Sequence, residues 1–148
     1  MAENTDVLIA GAGPTGLAFA LWLTRLGVKV RVVDKAEQPG ETSRALAVHA
    51  RTLELYDQLG IAQGVIDHAR KLDAARLWVR GRQRARVVFG DMGVGLSPFP
   101  YALVYPQDEH ERLLIARLAE RGVKVERPIE LIAAEAKNAG VVLSLIHI

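Results

Sequence analysis

The sequence predicts an α/β fold in which a parallel sheet flanked by helices leads into the start of a β-rich segment. Three observations point there. A short, continuously apolar run at Asp6–Ala10 breaks at a glycine cluster, Gly11-Ala-Gly-Pro-Thr-Gly16. A stretch of good helix formers follows, and after it comes a β-branched run, Val28–Val33, that stops at Asp34. Further on, from Leu72 to Phe89, the hydrophobic period changes to alternation.

Each element has a local reason. An unbroken apolar run suits a strand buried on both faces of a parallel sheet. Leu17–Leu26 is rich in helix formers and closes at Gly27, a favoured residue just past a helix end. With Val28–Val33 it completes one βαβ unit, whose two strands are expected as parallel neighbours. Residues 39–42 are expected as loop, and a helix is expected from about Ser43 to Leu59, closed by Gly60. Leu77 and Val79 alternate on one strand and Ala85, Val87 and Phe89 on the next, with Gly81 in the turn between them. The glycines and prolines of residues 91–100 read as loop, and Tyr101–Tyr105 as a short strand. Gln107–Arg121 reads as a helix with acidic residues in its first turn and Gly122 at its end. Val123–Glu126 is expected as a third parallel strand. Residues 129–136 and 141 onward read as the start of a β-meander. Three segments result: 1–70, the βαβ unit and following helix; 71–105, a β-excursion; and 106–148, the return helix, third strand and opening of the meander.

The glycine cluster carries the chemistry. Glycine triplets occur by chance, but Gly11-x-Gly13-x-x-Gly16 follows a strand, opens a helix and lies inside a βαβ unit. Gly11 permits the tight turn. Gly13 lets backbone approach a pyrophosphate, and Gly16 lets the helix pack close to the strand. The helix N-terminus then offers unpaired N–H groups and partial positive charge to phosphates, and Thr15 can add a hydroxyl donor. Asp34, at the end of the second strand, is placed to accept from ribose hydroxyls and to repel a 2′-phosphate. The expectation is a Rossmann-like site for an ADP-containing dinucleotide, with Gly11, Gly13, Pro14, Thr15, Gly16, Asp34 and Lys35 as its candidate residues. The turn by itself does not separate FAD from NAD.

Composition excludes other classes. A chain of 148 residues with 50% hydrophobic and 24% charged residues can bury a core and is not a disordered chain. The net charge of +2 and the scattered arginines do not suggest a nucleic-acid surface. With no cysteine, disulfides and thiolate metal sites are excluded, and the four histidines show no ligand spacing. The acidic, polar start and the short, interrupted apolar stretches predict a cytoplasmic chain with no membrane partner.

Several motifs carry a family resemblance. Gly11-Ala-Gly-Pro-Thr-Gly-Leu17 resembles the FAD fingerprint of the aromatic-ring hydroxylases among flavin monooxygenases, a group that includes para-hydroxybenzoate, phenol and polyketide hydroxylases. Ser43-Arg-Ala-Leu-Ala-Val-His-Ala-Arg-Thr-Leu-Glu54, with Leu59-Gly60, looks like the segment after the second strand in those enzymes. The resemblance places Arg44 near the flavin and its pyrophosphate. For Arg51 it leaves open a ligand contact or a helix-surface ion pair. Tyr105-Pro-Gln-Asp-Glu-His-Glu-Arg-Leu113 is similar to the family's helix start, which implies that Gln107 contacts the ribityl or ring portion of the flavin.

The resemblance implies FAD as cofactor, NAD(P)H as electron donor, and transfer of one atom of O₂ to an aromatic or polyketide-like small molecule. The cofactor carries such chemistry, so no Ser-His-Asp triad or carboxylate pair is expected, and no catalytic residue is assigned. Residues 72–89 would begin a substrate-domain sheet. Their arginines (Arg76, Arg80, Arg82, Arg84, Arg86) read either as a face for an anionic substrate or as a solvated strand face. Residues 89–101 read as pocket lining or as core. The fold is expected to be incomplete. A doubly wound domain has about five or six strands, the family's later Asp-Gly and Gly-Asp segments are not in this chain, and the last residues fall within an apparent strand. The chain is therefore expected to be an N-terminal piece that holds the ADP half of FAD and does not turn over alone. The alternatives are another FAD oxidoreductase of the same fold, an NAD-dependent dehydrogenase, or a non-catalytic nucleotide-binding fragment.

Overall fold

Along the first part of the chain run β1 (Val7–Ala10), α1 (Pro14–Arg25), β2 (Val30–Val33), β3 (Ala45–Val48), α2 (Ala50–Gln58), α3 (Ala62–His68) and β4 (Arg70–Lys71). They are followed by β5 (Ala74–Val79), β6 (Arg82–Val88), β7 (Leu103–Pro106), α4 (Gln107–Ala119), β8 (Val125–Glu126), β9 (Ile129–Lys137) and β10 (Gly140–His147). The computed structural model describes residues 4–40, 45–90, 93–138 and 140–148. Contacts divide the chain into two units, residues 1–43 with 108–148, and residues 44–107.

The first unit is built on a parallel sheet of order β1-β2-β8. This is the 3-2-1 half of a doubly wound fold, so the expected α/β architecture and the third parallel strand are both present. β2 lies in the middle, and its Val32 and Val33 are buried on the two faces of the pleat. Helix α1 packs on β1 and β2. It buries Leu17, Ala20 and Leu21, the i, i+3, i+4 stripe of an amphipathic helix. It starts at Pro14, three residues earlier than the run of helix formers, because proline's fixed φ suits a first helical position. Helix α4 buries His110, Leu114 and Leu118, spaced four apart on one face. Burial pushes the His110 imidazole down to about 4, since a charged ring would lose its hydration there. β9 and β10 pair as an antiparallel hairpin, the expected start of a meander.

In the second unit β7 lies between β3 and β4, antiparallel to both. The core comprises Val48, Leu53, Tyr56, Leu59, Ile61, Val65, Leu103 and Tyr105. Burial pushes the Tyr56 phenol up to about 12. β5 and β6 form the expected hairpin across Arg80-Gly81, both at positive φ (51° and 71°). That is the two-residue turn whose twist matches the strands.

One expected element is different. The single helix expected from Ser43 to Leu59 is a strand, β3, followed by a shorter helix, α2. Ala45-Leu-Ala-Val48 has respectable helix propensity, but its backbone pairs with β7, from Ala45 opposite Pro106 to Val48 opposite Leu103. Tertiary pairing overrides a weak local preference. Ser43 itself lies outside the described residues. Helix α3 and strand β4 were not expected from the sequence.

Candidate dinucleotide-binding site

Three chain segments converge at the carboxyl ends of the three parallel strands. Gly11 follows β1, Asp34 follows β2, and Arg127 follows β8. In an open α/β sheet this edge is where ligands bind. Backbone bonds continue across the strand ends: Gly11 N–H donates to Val33 O (2.8 Å), Asp34 N–H to Glu126 O (3.0 Å) and Ile129 N–H to Asp34 O (2.8 Å). A bidentate ion pair, Arg31 Nε and Nη2 to Glu126 (2.6 and 2.7 Å), ties β2 to β8 just before this edge.

The glycines have distinct duties. Gly11 holds φ at +113°, a backbone region that strains an L-residue. A Cβ at Gly16 would run into the Gly11 carbonyl oxygen and crowd Ile9, so only glycine lets α1 sit this close to the turn. A Cβ at Gly13 would meet nothing within 4 Å. The space in front of Gly13 is therefore open, and it lies at the N-cap of α1. Among the described residues no side chain caps that end, and no acid occupies its first turn. The first N–H groups of α1 thus face outward with the positive end of the helix dipole, and Thr15 stands exposed beside them. A diphosphate fits this arrangement.

Asp34 does more than end a strand. Its Oδ2 accepts from Ala12 N–H (2.6 Å) inside the glycine turn, and its Oδ1 accepts from Ala36 N–H (2.8 Å). Arg127 Nη1 lies 3.1 Å from Oδ1. The carboxylate thus links the turn after β1 to the loop after β2. Beside it opens a cavity of about 390 Å³, lined by Gly11, Asp34 and Lys35 on one side and by Ile129, Glu130 and Leu131 on the other. Lys35 is largely exposed, with Nζ 3.9 Å from Glu130 Oε1.

Gly11, Gly13, Pro14, Thr15, Gly16, Asp34 and Lys35 therefore come together in one unit. Gln107, half-buried at the first position of α4, belongs to the other unit. Arg44 lies outside the described residues. The wall at Ile129–Leu131 and the Arg127 contact were missed from sequence. The available signal was strand order: a 3-2-1 sheet sets the chain after the third strand against the end of the second.

In the second unit, Arg51 forms an i,i+3 ion pair with Glu54 (2.9 Å), and the Ser97 hydroxyl donates to the same carboxylate (2.8 Å). The Arg51 contact and then the Ser97 hydroxyl hold the Glu54 carboxyl below its ordinary value. Of the two readings left open for Arg51, the structure contains the ion pair. A cavity of about 310 Å³ is lined by Arg51, Leu72, Phe89, Pro100 and Tyr101 among others, so Phe89 and Tyr101 line a pocket. The hairpin arginines Arg76, Arg80, Arg82, Arg84 and Arg86 are exposed. Among the described residues no acidic or histidine cluster is arranged to hold a metal ion, and no helix is long and apolar enough to cross a membrane.

A glycine turn at a bare helix N-terminus, an acid after the second strand and a 3-2-1 parallel sheet define a dinucleotide-binding α/β chain. Comparison with known proteins identifies which kind. The FAD binding domain family matches residues 4–145, and the chain belongs to that family. The cofactor of the fold is accordingly FAD. Among curated relatives, a 6-methylpretetramide 4-monooxygenase from Streptomyces rimosus is 45% identical over 132 residues, covering 88% of this chain and 23% of the relative. Among solved structures, an aklavinone-11 hydroxylase in complex with FAD and aklavinone superposes with a TM-score of 0.86 at 29% identity, covering 99% of this chain and 30% of that one. An anhydrotetracycline hydroxylase from Streptomyces rimosus superposes with a TM-score of 0.79 at 37% identity, covering 95% and 28%. The chain spans between about a quarter and three tenths of the length of these relatives.

Proposed function

We propose that this chain is the FAD-holding portion of a flavin monooxygenase that uses NAD(P)H and O₂ to hydroxylate an aromatic or polyketide-like small molecule. The observation that carries the reading is the uncapped N-terminus of α1, with open space at Gly13 and the Asp34 carboxylate at the neighbouring strand end. The names of the relatives, a 6-methylpretetramide 4-monooxygenase, an anhydrotetracycline hydroxylase and an aklavinone-11 hydroxylase, supply the reaction class.

In this reading Gly11, Gly13, Pro14, Thr15 and Gly16 hold the pyrophosphate, using backbone N–H groups and the Thr15 hydroxyl. Asp34 accepts from the adenosine ribose, and Lys35 borders the adenosine cavity opposite Glu130. Resemblance assigns Arg44 to the pyrophosphate side and Gln107 to the flavin side. Residues 71–105 carry the excursion toward a substrate domain. Bound FAD supplies electron transfer and oxygen activation; the protein's residues bind and orient it.

The test is NAD(P)H oxidation by the protein that carries this chain, with polycyclic phenols as substrates under ¹⁸O₂. Substrate-stimulated oxidation with one labelled oxygen in the product is expected. Oxidation that leaves every product unlabelled would replace the monooxygenase reading with another FAD oxidoreductase.

A further inference from the structure

We propose that Arg127 is a positioning residue of the adenosine site. Its guanidinium fixes the Asp34 carboxylate so that one lone pair is left facing a ribose hydroxyl. The inference rests on the reading that Asp34 serves the ribose.

The geometry begins with a count. An ionised carboxylate offers about four acceptor sites. In Asp34 three are engaged among the described residues: Ala12 N–H on Oδ2, and Ala36 N–H and Arg127 Nη1 on Oδ1. One site remains, on Oδ2. A single remaining site gives a directional acceptor, which a freely rotating surface aspartate would not be.

Arg127 is held firmly enough to impose that direction. The residue before it, Glu126, is clamped by the two-pronged pair with Arg31, and its carbonyl accepts from Asp34 N–H. Two residues after it, Ile129 N–H donates back to the Asp34 carbonyl. The Arg127 Nη1 also donates to Ala36 O (3.0 Å) and Gln38 O (3.3 Å), so one nitrogen gathers residues 34–38 after β2. The side chains of Arg127 and Asp34 are only 12% and 17% exposed, so water and salt screen this pair less than an ordinary surface pair. Without the guanidinium, a mostly buried carboxylate keeps two N–H donors but loses its counter-charge, and two loop carbonyls lose a donor. The carboxylate then keeps one bond on each oxygen but has a second open acceptor site, on Oδ1, so the single direction offered to the ribose is lost.

The contacts all come from one nitrogen, so a lysine ammonium, with three donors, can replace them in kind. A residue that merely staples the loop would affect every nucleotide equally. A residue that acts through Asp34 affects only ligands with ribose hydroxyls.

The experiment measures binding of ADP and of 2′,3′-dideoxy-ADP to the purified chain by calorimetry. The unaltered chain is expected to prefer ADP by about tenfold, about 1.4 kcal/mol. Arg127→Gln should weaken ADP until the preference falls to about threefold or less, with dideoxy-ADP unchanged. Arg127→Lys should restore most of the preference. A folded Arg127→Gln chain that keeps the tenfold preference, or that weakens both nucleotides equally, overturns the proposal and leaves the site reading standing. An unaltered chain that binds no ADP overturns the site reading itself, and this proposal with it. Should Arg127→Gln fail to melt cooperatively, the unaltered chain decides by NMR. The Arg127 side-chain resonance is expected to shift with ADP and stay in place with dideoxy-ADP, and equal shifts overturn the proposal.

Discussion

At the scale of single residues, Gly13 and Gly16 look alike in the sequence and differ in what limits them. Gly16 is constrained by the protein, because a methyl group there collides with the Gly11 carbonyl oxygen. Gly13 is constrained by nothing among the described residues, since its missing side chain borders open space. Gly16→Ala is therefore expected to lower stability by about 1–3 kcal/mol, the scale of overpacking in a tight interface. Gly13→Val should cost no more than about 1 kcal/mol, the loss of a good N-cap residue. Urea unfolding of the two variants checks this contrast, and equal losses would mean that the two glycines serve the fold alike. Asp34 carries a related lesson. Its position after a β-branched run made it readable as a ribose acceptor, whereas its bond to Ala12 N–H depends on the turn lying beside it in space.

At the scale of elements, α4 carries a pH dependence. His110 is 1% exposed, and burial lowers its value to about 4 from the ordinary 6.5. The folded chain binds a proton there less readily than the unfolded chain, so the stability it contributes is complete above pH 6.5. That contribution falls as pH drops from 6.5 toward 4, by on the order of 3 kcal/mol in all. Thermal melts across this window should show a steeper acid loss for the unaltered chain than for His110→Gln. Parallel curves would mean that His110 takes up its proton without penalty. The elements also show how far local pattern reaches. β1, α1, β2 and the β5–β6 hairpin follow from apolar runs, glycine stops and a two-residue turn, all of them local signals. β3 does not, because Ala45–Val48 becomes a strand only by pairing with β7, which lies more than fifty residues later. The short α3 and the two-residue β4 are too brief to show a period.

At the scale of the molecule, the sequence motifs and the family agree on a parallel-sheet FAD-binding fold, and the structure adds what its three strand ends carry: a glycine turn, an acid and a basic clasp. The glycine turn of the proposed site is legible, since glycine spacing beside a strand and helix is a one-dimensional pattern. The cavity beside Asp34 is less so. Ile129–Leu131 and Arg127 join it through strand order, and no motif near them announces it. The central claim, that this turn holds the diphosphate of FAD, is tested most directly by titrating FAD into the unaltered chain and into Gly13→Val, following flavin fluorescence with melting curves as control. The account predicts saturable binding by the unaltered chain and none by a Gly13→Val chain that still melts cooperatively. Equal FAD affinity in the two folded chains would contradict it.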